Sequence, residues 1–138
     1  PHDFTAMDSD GKIGDPAVGG TVRQMGNNIP DGWSGLDIGP GSAALFGEII
    51  QESKTVLWNG PMGVFEDTRF SAGTKHVAQS MAENKASFTV IGGGDSAAAA
   101  KEFKFDTEID HVSTGGGASL ELIEKGTLPG IDALLMNH

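Results

Sequence analysis

Residues 87–100 read SFTVIGGGDSAAAA. Five residues with strand-forming character run into three glycines, an acid, a serine and then alanines, which favour helix. A strand that turns through glycine into a helix is half of a βαβ unit. Three other stretches repeat the plan: WSGLDIGPGSAALFGEII (33–50), KTVLWNGPMGVFEDTRFSAGTKHVAQSMAE (54–83) and IDHVSTGGGASLELIEKG (109–126). Their helical portions carry apolar residues at helical spacing: Leu45, Ile49 and Ile50, then Val77 and Met81, then Leu120 and Ile123. Gly126 and Pro129 stand where a helix stop is expected. Alternating strands and helices imply right-handed crossovers, so the expected fold is α/β, a parallel sheet with flanking helices in a Rossmann-like, three-layer arrangement. Residues 33–138 are expected to form this unit. Residues 1–32, rich in turn formers, are expected to be an irregular segment, loop or edge structure, leading into it.

Composition narrows the function. Glycine supplies 21 of 138 residues, against a usual share of about 7%, and the glycines cluster at corners. With no cysteine, disulfides, thiolate metal sites and cysteine nucleophiles are excluded. The formal net charge of −10 argues against a nucleic-acid surface, which needs clustered Lys and Arg. Apolar runs are only a few residues long and the N-terminus shows no signal pattern, so a soluble, cytoplasmic chain with no membrane partner is expected.

In a parallel sheet every strand-to-helix loop leaves at the carboxyl edge, where open α/β folds bind ligands. Four glycine-bearing loops are therefore expected to converge on one crevice. Each precedes a helix start with unpaired N–H groups, an anion site into which glycine lets the backbone approach closely. GGGDS (92–96) reads as a polyphosphate cradle. Asp95 within it has two readings: a residue that offsets the helix dipole, or a Mg²⁺ contact, since this ion takes one or two carboxylates together with phosphate oxygens. STGGGASLE (113–121) repeats the cradle. WNGPMGVFE (58–66) adds Asn59 as a polar reader, Pro61 and Val64 as stiff and apolar surface, and Glu66, a carboxylate able to accept two ribose hydroxyls. GGGDSA also fits a dinucleotide fingerprint, but Asp110, at the spacing of the required acid, begins a strand instead of ending one. No pair among His2, His76, His111 and His138 has metal-ligand spacing. Trp33 and Trp58 read as packing residues.

The motifs IPDGWSGLDIGPGS (29–42), TVLWNGPMGVFE (55–66), IGGGDSAAAA (91–100), HVSTGGGASLELIE (111–124) and LPGIDAL (128–134), in this order, resemble the C-terminal part of phosphoglycerate kinases. The resemblance covers about residues 29 to 135. It implies a glycolytic transferase that moves a phosphoryl group between 1,3-bisphosphoglycerate and Mg-ADP, giving 3-phosphoglycerate and ATP, in a family whose intact enzyme is usually a monomer. By motif position it implies an adenine pocket lined by Gly35, Leu36, Pro61 and Val64, with Asn59 near the nucleotide phosphates and Glu66 on the ribose. Gly93, Gly94, Asp95 and Ser96 would hold the phosphate chain and its Mg²⁺, with Asp95 as the metal residue. Gly116 and Gly117 would turn backbone amides toward the transferred group. Phosphoglycerate itself would bind only through the family's N-terminal domain, which these motifs do not include.

One chemical requirement is unmet. Phosphoryl transfer needs cations to stabilise the charge of the transferred group, yet none of the nine Lys and Arg residues falls within 59–66, 92–96 or 114–117. The chain is thus expected to be an incomplete C-terminal domain, inactive alone. The alternative is a non-catalytic nucleotide-binding or structural fragment that assembles with a partner chain.

Overall fold

The computed structural model describes residues 1–127 and 129–136. Leu128 of the LPGIDAL motif and His138 lie outside the described residues. Two three-stranded sheets share one helical layer. The first is antiparallel, in the order β2-β1-β3, from β1 (Asp3–Asp8), β2 (Val22–Gly26) and β3 (Trp33–Ile38). The second is parallel, in the order β4-β5-β6, from β4 (Thr55–Asn59), β5 (Phe88–Gly92) and β6 (His111–Ser113). Helices α1 (Pro40–Glu52), α2 (Ala72–Glu83), α3 (Gly94–Glu102) and α4 (Gly116–Lys125) follow β3 to β6 in turn.

The parallel sheet, its crossovers and its flanking helices agree with the α/β expectation. Val56 and Trp58 pair with Thr89 and Ile91, which places all four on one face. There Trp58 and Ile91 meet Ile50 of α1, Val77, Ala78 and Met81 of α2, and Ala99 and Ala100 of α3 in one apolar core. Gly92 points to the opposite face, where an added Cβ would meet Ser119 of α4 at 3.4 Å. The layers are therefore α1–α3, sheet, α4.

Two expectations are corrected. Residues 1–32 contain β1 and β2, and only β2, largely exposed, is an edge. The strand starting at Trp33 does not join the parallel sheet, because β1 claims it by antiparallel pairing, Phe4 with Ile38 through Asp8 with Trp33. Three glycine loops, not four, leave the parallel sheet's carboxyl edge.

Helix α1 begins at Gly39, which has no side chain to cap it, with Pro40 in its first turn. The cap comes from β1: Asp3 accepts the N–H of Gly41 at 2.8 Å and of Ser42 at 2.6 Å, and the Ser42 hydroxyl. That hydroxyl, more than any other partner, holds the Asp3 carboxyl below the usual carboxylate range. Of the apolar residues predicted for α1, Ile50 is buried while Leu45 and Ile49 are exposed. The helix instead packs small residues on α2, where a Cβ on Gly47 would stand 2.7 Å from His76 Nε2. Helix α4 ends as predicted at Gly126, in the left-handed region at φ 73°. Pro129 opens a further helix, α5 (Pro129–Met136).

Candidate functional site: the glycine-lined edge of the parallel sheet

Two groups of sequence-predicted residues come together at the carboxyl end of β4. In the first, the loop after β4 folds back onto β3. Val64 donates its N–H to the carbonyl of Leu36 at 2.9 Å. Gly63 lies so close that a Cβ there would be 2.5 Å from the same oxygen. The Thr74 hydroxyl accepts the N–H groups of Met62 and Gly63 at 3.0 and 3.3 Å, fixing the loop to α2. Between strand and loop is an open pocket of 390 Å³ lined by Phe4, Gly35, Leu36, Pro61, Met62, Gly63 and Val64, among others. The four residues that the resemblance implies as the lining of one pocket thus share one cavity. Glu66 is exposed two residues beyond Val64 and does not line it. Phe4 was missed because it belongs to the segment expected to be irregular. Gly63 stands inside a quoted motif, and its tight spacing to Leu36 is visible only once β3 is in place.

In the second group, the β5–α3 and β6–α4 corners meet over Asn59. A Cβ on Gly116 would lie 2.5 Å from Asn59 Oδ1 and 3.0 Å from Gly93 Cα. Gly93 is at φ 101°, which L side chains rarely adopt, and donates its N–H to the carbonyl of Ser113 at 2.9 Å. Beyond these contacts begin α3 and α4, whose first turns, Gly94 to Ser96 and from Gly116 and Gly117 onward, carry the orphan N–H groups of every helix start. Asp95, exposed, sits in the first turn of α3, while the N-cap position itself is Gly93. Ser96 differs from its neighbours: it is fully buried, and its hydroxyl accepts the N–H of Gly60 at 2.6 Å. Its side chain is directed at the Gly60 peptide.

Three acids around the site, Asp37, Asp67 and Asp110, make structural contacts. Asp37, beneath the pocket, accepts N–H groups from Ile38 at 2.9 Å and Gly73 at 2.8 Å, yet burial still pushes its carboxyl up. Asp67 is paired with Arg69, whose Nε and Nη2 donate at 2.9 and 2.6 Å, and also accepts the Gly14 N–H at 2.8 Å. The Arg69 guanidinium holds the Asp67 carboxyl far below the usual range. Asp110 precedes β6 and accepts the N–H and hydroxyl of Thr89 at 2.8 and 3.0 Å. That is the amino end of the strand, away from the glycine corners, so it is not the acid of a dinucleotide site. Among the described residues no three His, Asp or Glu side chains form a metal-binding group, and no helix is long and apolar enough to cross a membrane.

A parallel sheet with helices on both faces and glycine-lined helix starts at one edge defines part of a Rossmann-like α/β domain. The family profile of phosphoglycerate kinase matches residues 1–126, including the first 28 residues that the motif resemblance left out. The chain belongs to the phosphoglycerate kinase family of transferases. It is 56% identical over 106 residues to the phosphoglycerate kinase of Trichodesmium erythraeum, covering 77% of this chain and 27% of that one. The Clostridium novyi enzyme is 57% identical over 107 residues, with coverage of 78% and 27%. Solved phosphoglycerate kinase structures from Coxiella burnetii and Pyrococcus horikoshii superimpose with TM-scores of 0.82 and 0.76. They are 34% and 32% identical, over 96% and 98% of this chain and 33% and 32% of theirs. This chain thus spans about a quarter to a third of the length of its relatives.

Proposed function

We propose that this chain supplies nucleotide-binding elements of a phosphoglycerate kinase, an enzyme that transfers a phosphoryl group between 1,3-bisphosphoglycerate and Mg-ADP. The observation that carries the reading is the convergence of Gly35, Leu36, Pro61 and Val64 on one apolar pocket, beside the packed cluster of Asn59, Gly93 and Gly116. An apolar slot beside amide-rich helix starts suits a base joined to a charged phosphate chain. Glu66, exposed just beyond Val64, would take the ribose. The amides of Gly94 and Asp95 would hold the phosphate chain, with Gly93, whose own N–H is bonded to the Ser113 carbonyl, and buried Ser96 shaping the turn, and the amides of Gly116 and Gly117 would face the transferred group.

The residues fit Mg²⁺. That ion keeps several waters and asks for one or two carboxylates plus phosphate oxygens, and Asp95 is an exposed carboxylate beside orphan N–H donors. When bound, the metal would neutralise phosphate charge. The site's own residues orient the nucleotide and offer donors. No basic side chain belongs to the three loops, so the cationic groups of transfer and the phosphoglycerate site would come from segments beyond these residues, and the 138-residue chain would not turn over alone.

Titration with Mg-ADP, followed by amide NMR, tests this. Shifts confined to 35–36, 59–66, 92–96 and 115–117, weakened in Asp95→Ala, are expected. Absence of binding by the folded chain would refute it. A second reading, a structural fragment that assembles with another chain, draws on the apolar groove of 380 Å³ beside β4, lined by Phe46, Ile49, Val56 and Leu57 among others. Concentration-dependent mass with no nucleotide response would favour it.

A further inference from the structure

The peptide groups on either side of Gly60 are held by two parts of the molecule. Its N–H donates to the Ser96 hydroxyl at 2.6 Å, and its carbonyl accepts the indole N–H of Trp58, also at 2.6 Å. Ser96 is fully buried on α3 and Trp58 is 3% exposed on β4. Neither can move without disturbing the core. Gly60 itself is at φ 104°, and a Cβ there would meet nothing within 4 Å. What demands glycine at this point is the backbone angle, and the two hydrogen bonds maintain that angle.

Immediately beyond lies the wall Pro61–Val64, and Pro61 permits little rotation of its own. Immediately before lies Asn59, against which Gly93 and Gly116 pack. Gly60 is therefore the joint between the apolar pocket and the phosphate-side cluster, and Ser96 ties it to the helix that carries Asp95. We infer that Ser96 is a positioning residue: with Trp58 it clamps Gly60, setting the pocket wall in register with the start of α3, and its hydroxyl is not a phosphate ligand. This rests on the nucleotide reading above.

A phosphate ligand and a clamp predict different selectivity. Loss of a phosphate contact weakens Mg-ADP and spares adenosine; a displaced pocket wall weakens both by the same factor. In Ser96→Ala, the amide resonances of 60–64 and the Trp58 indole N–H should move without nucleotide present. Affinity for adenosine and for Mg-ADP should fall together, about five- to tenfold for one lost internal hydrogen bond. Ser96→Thr, which keeps the hydroxyl, should restore both. Trp58→Phe removes the other half of the clamp while keeping an aromatic ring, and should move the same loop resonances; it carries the test if Ser96→Ala fails to fold. Unmoved loop resonances in these variants, or loss of Mg-ADP with adenosine spared, would overturn the inference. If the unsubstituted chain takes up neither probe, the nucleotide reading falls. The nucleotide-free resonances then judge the clamp alone, movement upholding it and constancy overturning it.

Discussion

The N–H of Val64 donates to the carbonyl of Leu36 across 2.9 Å, joining a loop of the parallel sheet to a strand of the antiparallel one. The pocket exists because of this junction: each sheet contributes one wall. Leu36→Ala removes apolar surface from one wall and leaves the backbone bond intact. The expected outcome is about fivefold weaker Mg-ADP binding, from roughly 1 kcal/mol of lost apolar contact, with an unchanged melting profile. Calorimetric titration beside a thermal scan checks both.

Gly116 and Gly117 are adjacent and spatially unlike. A Cβ on Gly116 would press on Asn59 and the Gly93 backbone, whereas one on Gly117 would meet nothing within 4 Å. Gly116→Ala should cost about 1–3 kcal/mol by overpacking and reduce Mg-ADP affinity by an order of magnitude or more. Gly117→Ala should be neutral or stabilising by up to about 1 kcal/mol through helix propensity. Denaturant midpoints of the pair decide it; equal losses would mean that the corner yields.

The Asp67–Arg69 pair predicts acid sensitivity. Arg69 lowers the Asp67 carboxyl in the folded state, whereas the unfolded chain has its ordinary value of about 3.9. The pair's contribution is full above that value and is lost progressively as pH falls toward the depressed folded value. Arg69→Gln should therefore lower the thermal midpoint at pH 7, by roughly 5 °C, and flatten its fall below pH 4. Melting curves from pH 7 to pH 2 on both proteins measure the two slopes.

Ile91 is fully buried at the centre of the parallel sheet, in the apolar core with Trp58. Ile91→Ala should cost about 2–5 kcal/mol. Since the three crevice loops grow from this sheet, urea unfolding followed by far-UV circular dichroism and by tryptophan emission should shift by the same amount.

Much of the fold was legible because its units are local. Strands from Thr55 and Phe88 and the helices after them follow from apolar runs interrupted by glycine, and the helix-ending Gly126 is a local signal too. What escaped depends on residues far apart in sequence. β3 looks like the start of another βαβ unit; its antiparallel partner is β1, a strand whose Thr5, Ala6 and Met7 are buried although the sequence around them is turn-rich. Leu45 and Ile49 fit the helical period but lost the core to Gly47, because close approach of α1 to α2 favours small residues there. At the candidate site, the grouping of Gly35, Leu36, Pro61 and Val64 around one cavity was readable from the family resemblance. The inward turn of Ser96 was not, because a hydroxyl in a phosphate-type loop looks the same whether it faces the ligand or the next peptide.

The Asp3 cap on α1 has a kinetic consequence. The helix obtains its N-terminal acceptor from a residue 39 positions away, so its first turn cannot be completed until the intervening chain has closed and β1 has found its place. Such closure is an entropic cost that precedes its reward. During refolding, the amides of Gly41 and Ser42 should therefore gain protection from hydrogen exchange in step with β1, later than those in the middle of α1, and the helix should grow toward its beginning.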